Sequence, residues 1–158
     1  MENRILDILA SNARLSNEQI AAMTGLSPSS VAAEIDRMQS DGIIKGYKAI
    51  VDWDKTDRSV CCARIELRVT PKSGMGFEEI AETIAQFDEV ETVYLMSGGY
   101  DLALTVSGKT FKDVATFVSH RLAPLDSVQS TSTHFVLRKY KERGILAAGD
   151  NEDGREEP

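Results

Sequence analysis

Between residues 60 and 69 the chain reads VCCARIELRV, with Cys61, Ala63, Ile65, Leu67 and Val69 on alternate positions and Arg64, Glu66 and Arg68 between them. Successive side chains of a strand point to opposite faces, so this stretch is a strand with one face in a core and the other toward water. It excludes an all-helical fold, because a helix would spread the same residues around its circumference. The first fifty residues follow a different period. Ile5, Leu6, Ile8 and Leu9 are helix-spaced, as are Ile20, Ala21 and Met23, and then Val31, Ile35 and Met38. The architecture therefore changes along the chain, helical first and mixed afterwards.

Local punctuation sharpens the helical part. Ser16-Asn17-Glu18-Gln19 is a capping box, with Leu15 placed as a hydrophobic staple, and Gly25 ends the short helix that follows. Ser27-Pro28 opens a third helix with an N-cap serine and a proline in its first turn, running to Asp41-Gly42. A short helix, a turn at Gly25-Leu26 and a capped helix make a helix-turn-helix, whose last element enters the major groove of DNA. A bare three-helix bundle is the alternative. Ile43 to Val51 reads as a small wing and an outgoing strand.

Beyond residue 70, Pro71 to Gly76 is a loop, and Phe77, Ile80, Ala81, Ile84 and Phe87 line a helix. A strand from Val90 to Met96, a glycine pair and a strand from Asp101 to Ser107 follow. Thr110 and Asp113 cap a helix lined by Phe111, Val114, Ala115, Val118 and Leu122, and Val128 to Leu137 is the last strand. The order βαββαβ predicts a ferredoxin-like unit, a four-stranded antiparallel sheet with two helices on one face and the other face in need of a cover. The fold class is thus α+β: a winged helix-turn-helix over 1–50, a linker strand over 51–59, a ferredoxin-like domain over 60–141, and an acidic tail over 142–158. Its last residues, GDNEDGREEP, carry five acids and one arginine and are expected to stay disordered.

Composition removes several functions. A chain of 158 residues with 42% hydrophobic content builds one domain or two small ones. It has no apolar run of membrane-spanning length and no signal-peptide pattern, which points to the cytoplasm and to no membrane partner. Cys61 and Cys62 are strand neighbours facing opposite ways, so neither a disulfide nor a metal cage follows, and no cofactor is implied. His120 and His134 have no nucleophile or paired carboxylates at a catalytic spacing, and Gly74-Met75-Gly76 lacks the Lys and Ser/Thr of a phosphate loop, so no enzyme is expected. An enzyme on a ferredoxin-like scaffold is the contrary case, since a fold does not fix a function. The net charge of −7 argues against a basic coat, yet RKYKER at 138–143 shows how uneven the distribution is.

Four motifs carry a resemblance. Gly25-Leu26-Ser27-Pro28, Gly42-Ile43-Ile44-Lys45-Gly46-Tyr47, Gly98-Gly99-Tyr100-Asp101 before an apolar strand, and Thr131-x-Thr133 stand in this order, and with them the chain resembles the Lrp/AsnC, or feast/famine, family of regulators from about residue 3 to 141. The resemblance implies a winged helix-turn-helix joined by a linker strand to a ligand-sensing domain of the RAM type. It also implies dimers through the sheets, higher oligomers up to octamers that wrap double-stranded DNA, and a response to amino acids.

That resemblance places an effector at Met96, Ser97, Gly98, Gly99, Tyr100 and Asp101, at a subunit interface, with Gln129, Thr131 and Thr133 contributing from the last strand. The chemistry is compatible with a zwitterion, which needs N–H donors for its carboxylate and an acceptor for its ammonium. Each residue also has a plainer reading. Gly98-Gly99 is a two-residue hairpin connector, Asp101 a strand cap, Tyr100 a packing residue, and the threonines ordinary β-formers. On the DNA side the candidates are Ser27, Ser29, Ser30, Arg37, Lys45 and Lys48. Here the chain departs from the family: Arg37 is the single base of a helix that also holds Glu34 and Asp36, with Asp41 at its end, and Ala32 and Ala33 stand where longer side chains are usual. Binding must then draw on several domains acting together. The alternative is an effector-binding partner in mixed oligomers with little DNA affinity of its own.

Overall fold

The computed structural model describes residues 2–71 and 76–147, and the chain divides after Ile50 into two compact units. Gly74 and Met75 of the glycine motif lie outside the described residues, as does the whole acidic stretch 149–158.

The first unit holds α1 (Glu2–Ser11), α2 (Asn17–Thr24) and α3 (Pro28–Ser40). The caps read from the sequence are present. Ser16 Oγ accepts from Gln19 N at 3.3 Å while Gln19 Oε1 accepts from Ser16 N at 2.8 Å, so two otherwise unpaired donors of α2 are satisfied. Gly25 ends α2 at φ +77, a left-handed conformation, and its N–H reaches Ala21 O at 2.8 Å. Ser27 Oγ accepts from Ser30 N at 3.1 Å and opens α3. Ile5, Ile8, Leu9, Ile20, Ala21, Val31 and Met38 form the core of this unit.

The wing and the linker strand differ from expectation. Ile43 and Ile44 both donate to Met38 O, at 2.9 and 3.1 Å, which folds the chain back over the end of α3. Residues 45–52 then form no strand, and a 3-10 turn at Trp53–Lys55 follows. A strand exists only where a neighbouring backbone supplies its hydrogen bonds, and none of the described residues does so here.

The second unit holds β1 (Cys61–Val69), α4 (Phe77–Ala85), β2 (Val90–Leu95), β3 (Leu102–Gly108), α5 (Phe111–Phe117) and β4 (Val128–Phe135). The four strands make one antiparallel sheet in the order β2-β3-β1-β4, as a ferredoxin-like unit requires. Ala63, Ile65, Leu67 and Val69 point into the core with Leu102, Leu104 and Val106, against Ile80 and Ile84 of α4 and Val114 and Phe117 of α5. Full burial of such side chains stabilises by about 1.5–3 kcal/mol each. After Phe117 the helix widens into a single π turn, Val118–Leu122, closed by Ala123 N to Val118 O at 2.8 Å.

The opposite face of the sheet is mostly polar. Register places Arg64, Glu66 and Arg68 of β1 there with Thr105 and Ser107 of β3 and Ser130, Ser132 and His134 of β4; Cys62, Ala103 and half-exposed Tyr94 are its apolar members. Anything that covers this face meets hydroxyls and ion pairs. The expected tail boundary at residue 142 also moves. Lys141–Glu142 pairs with Ile145–Leu146 as β5 and β6 around Arg143 (φ 46) and Gly144 (φ 87), the two positive φ values that a tight primed turn demands.

Candidate DNA interface and effector site

The buried side of α3 carries Val31 and Met38, with Ile35 half-buried beside them. Ser29, Ser30, Ala33, Asp36, Arg37 and Ser40 are exposed. The three serines at its start share hydrogen bonds: Ser27 Oγ lies 3.0 Å from Ser29 Oγ and 2.8 Å from Ser30 Oγ. Ser27 is therefore occupied as a cap, whereas the Ser29 and Ser30 hydroxyls can rotate toward an outside partner. Lys45 and Lys48 follow on exposed backbone.

Arg37 is not presented as a cation in wait for phosphate. Its Nε and Nη2 chelate Glu34 at 3.1 and 2.9 Å, Nη1 reaches Asp41 Oδ2 at 2.7 Å, and Nη2 reaches Glu2 Oε2 at 3.1 Å. Three carboxylates around one guanidinium hold its pKa above the ordinary value, and the hydrogen bond from Arg37 depresses that of Glu34 below 4.5. Glu2 was not a candidate from the sequence, for it lies 35 positions away and only the packing of α1 against α3 brings it there. The network ties the start of α1 to the end of α3, so Arg37 acts first as a clamp. Because the Glu34 pKa is lower in the folded state, its contribution to stability is fully present above 4.5 and is lost as pH falls through the depressed value. We expect the stability gap between wild type and Glu34→Gln, followed by circular dichroism melts of the helical unit, to be open at neutral pH and to close in acid.

At the effector side, the loop after β2 is longer than a two-residue turn. Met96 N donates to Asp101 O at 2.8 Å, leaving Ser97 to Tyr100 as the loop. Neither Gly98 nor Gly99 adopts a left-handed φ, and a Cβ built on either would meet nothing within 4 Å. The primed hairpin turn is thus absent here and stands at Arg143-Gly144 instead. Met96 to Gly99 are exposed, and Tyr100 and Asp101 are half-buried.

Asp101 is a strand cap in this structure. Its N–H donates to Leu67 O and its Oδ2 accepts from Val69 N, both at 2.8 Å, at the point where the β1–β4 register shifts. One carboxylate oxygen is used in that contact. Gln129 is exposed and Thr131 and Thr133 are half-buried on the helix-facing side of β4, opposite Leu67 and Ile65. Leu102 pairs with Leu67 from the other side, so two strand spacings, roughly 10 Å, separate the start of β3 from Thr131. The loop and the β4 residues share one end of the sheet but do not converge within one chain.

A shallow cavity lies elsewhere, between Glu89 and the helix face of Lys112, Thr116, Phe117, His120 and Arg121. Arg121 Nη1 binds Glu89 at 2.7 and 3.0 Å, and its guanidinium stacks 4.6 Å over Phe87. His134 stands on the polar sheet face, 3.1 Å from Ser132 Oγ and 3.8 Å from Glu66. The Ser132 and Glu66 contacts both fall on Nε2, so Glu66 does not orient the ring from Nδ1 as the third member of a catalytic triad does. Among the described residues no group of His, Cys, Asp and Glu is arranged to hold a metal, and no helix is long and apolar enough to cross a membrane.

Comparison with known proteins agrees with this two-part plan. A model of the winged helix-turn-helix DNA-binding domain matches residues 2–45, and the Lrp/AsnC ligand binding domain matches residues 62–146. The chain is 47% identical over 153 residues to the uncharacterized HTH-type transcriptional regulator YugG of Bacillus subtilis, covering 96% of this chain and 92% of that one. It is 30% identical over 133 residues to the regulatory protein AsnC of Haemophilus influenzae, covering 84% and 87%. Among solved structures, a transcriptional regulator of Neisseria meningitidis in complex with L-Met superposes with a TM-score of 0.72 at 24% identity, over 89% of this chain and 90% of that one. The AsnC of E. coli gives 0.68 at 24% identity, over 91% and 95%. At these identities the structural likeness is one of fold, and the family models and the curated relatives describe DNA-binding regulators, not enzymes. The chain belongs to the Lrp/AsnC family of DNA-binding transcriptional regulators.

Proposed function

We propose that this regulator is a cytoplasmic, oligomeric amino-acid sensor, in which the loop Met96 to Asp101 of one copy and Gln129, Thr131 and Thr133 of another close around the effector. The observation that carries the proposal is the bare backbone of Gly98 and Gly99. Neither residue needs glycine for its φ, and neither is crowded by its own chain. What remains is close approach by something from outside, for which exposed glycine N–H groups can donate to a carboxylate. The relative solved with L-Met supports the ligand class.

A second copy explains other features. Residues 45–52 have no strand partner, and Leu137 and Leu146 are 89% and 73% exposed beside the β5–β6 hairpin. Leu146 lies in β6 itself, and apolar side chains so exposed are commonly covered by association. Dimers are the minimum assembly of this reading, and octamers the form that would wrap DNA. Ser29, Ser30, Lys45 and Lys48 make the DNA contacts, with Ser27 holding the helix end that carries them.

The test is thermal shift with each of the twenty amino acids at millimolar concentration, on wild type and on Gly99→Leu. Open space around the Gly99 Cβ position leaves the variant's own fold intact. We expect one or a few amino acids to raise the wild-type melting temperature and to lose that effect in the variant. No hit, or a hit indifferent to the substitution, rejects the site.

A further inference from the structure

The exposed side of α3 has a chemical pattern that extends beyond the DNA contacts above. Ser29, Ala33, Asp36 and Ser40 follow one another at spacings of four, three and four residues, so they form one stripe, and all four are exposed. Arg37, on the shoulder of that stripe, has Nε, Nη1 and Nη2 bound to Glu34, Asp41 and Glu2. A helix that enters the major groove with this face presents two hydroxyls, a methyl group and a single carboxylate, and no available guanidinium.

The carboxylate narrows the choice of base. An ionised carboxylate only accepts hydrogen bonds. Guanine shows two acceptors in the major groove, N7 and O6; thymine shows O4 and a methyl group; adenine pairs its N6 donor with an N7 acceptor; cytosine shows a donor, N4–H₂, and no acceptor. A carboxylate is therefore repelled by guanine, gains nothing from thymine, is partly opposed by adenine and is matched by cytosine. We infer that Asp36 is a specificity determinant, which selects cytosine and rejects guanine at one position of each half-site. The Asp36 side chain makes none of the hydrogen bonds found in this unit, and only its backbone carbonyl is used, accepting from Ser40 Oγ at 2.9 Å. Its chemistry is thus available to an outside donor. This inference rests on α3 being the element that enters the groove.

The experiment is selection of bound duplexes from a randomised DNA pool, sequenced after enrichment by the full-length chain, for wild type, Asp36→Ala and Asp36→Asn. Melting curves check that all three fold. We expect the wild-type motif to contain a symmetric cytosine position. Asp36→Ala should flatten that position alone, lowering its cytosine preference by up to about 5- to 150-fold, the range that one mismatched base pair costs. Asp36→Asn should move the preference to adenine, whose N6 and N7 the amide contacts together. Unchanged motifs in both variants, with affinity rising equally for every sequence, would show that Asp36 only repels phosphate and overturn the inference. A wild type that enriches no sequence at all would instead reject α3 as the reading helix, and the inference with it.

Discussion

Residues 1–50 expressed alone are expected to bind operator DNA about 10²- to 10⁴-fold more weakly than the full chain, because linked domains gain that much from binding together. The charge of the unit gives the reason. Arg4, Arg14, Arg37, Lys45 and Lys48 are its bases and Glu2, Asp7, Glu18, Glu34, Asp36 and Asp41 its acids, five against six, a net of −1. Arg4 donates to Met23 O and Arg37 is clamped, so few cations remain for phosphate. Each phosphate neutralised adds about 0.9 to the slope of log affinity against log salt. A single unit should therefore show a shallow slope, and an oligomer of units a steep one. Fluorescence anisotropy across a salt series, on both proteins, measures both quantities. The unit has its own core and caps, so circular dichroism should find it helical. Equal affinities at physiological salt would show that one helix-turn-helix suffices.

Asp101→Ala is expected to destabilise the sensing domain by about 1–3 kcal/mol, the cost of leaving a buried donor unpaired. The donor is Val69 N, and Val69 is 5% exposed, so water does not readily replace the lost carboxylate. Gly99→Leu, two positions earlier on a loop open to solvent, should cost far less. Denaturant unfolding separates the two. Asp101→Asn divides the roles of the same residue: its amide oxygen can still accept from Val69 N, so stability should largely return, whereas an effector ammonium would lose its charged partner. If Asn restores stability and the effector response together, Asp101 is only a cap.

The extent to which the fold was legible follows from how local each cause is. Ser16 with Gln19, Ser27 with Pro28, and Thr110 with Asp113 lie within one helical turn of each other, and each cap formed where the sequence put it. The alternation in VCCARIELRV and the order of elements after it were enough to specify a ferredoxin-like sheet. The linker strand failed because strand formation depends on a partner backbone, which no property of residues 51–59 can supply. The plainer reading of the glycine pair, a tight two-residue hairpin, does not hold for a related reason: Gly-Gly permits positive φ without requiring it, and the turn closed instead over the wider span from Met96 to Asp101.

By itself, then, the sequence determined the two-part architecture, the helix caps and the buried face of β1, because all of these depend on residues within a few positions of each other. Only the tertiary structure decided what Arg37 and Asp101 do. The partners of Arg37 include Glu2, 35 positions away, and Asp101 reaches Val69 across 32. A charge or a hydrogen-bond acceptor has no role until packing chooses its neighbour, and at those separations the choice belongs to the fold.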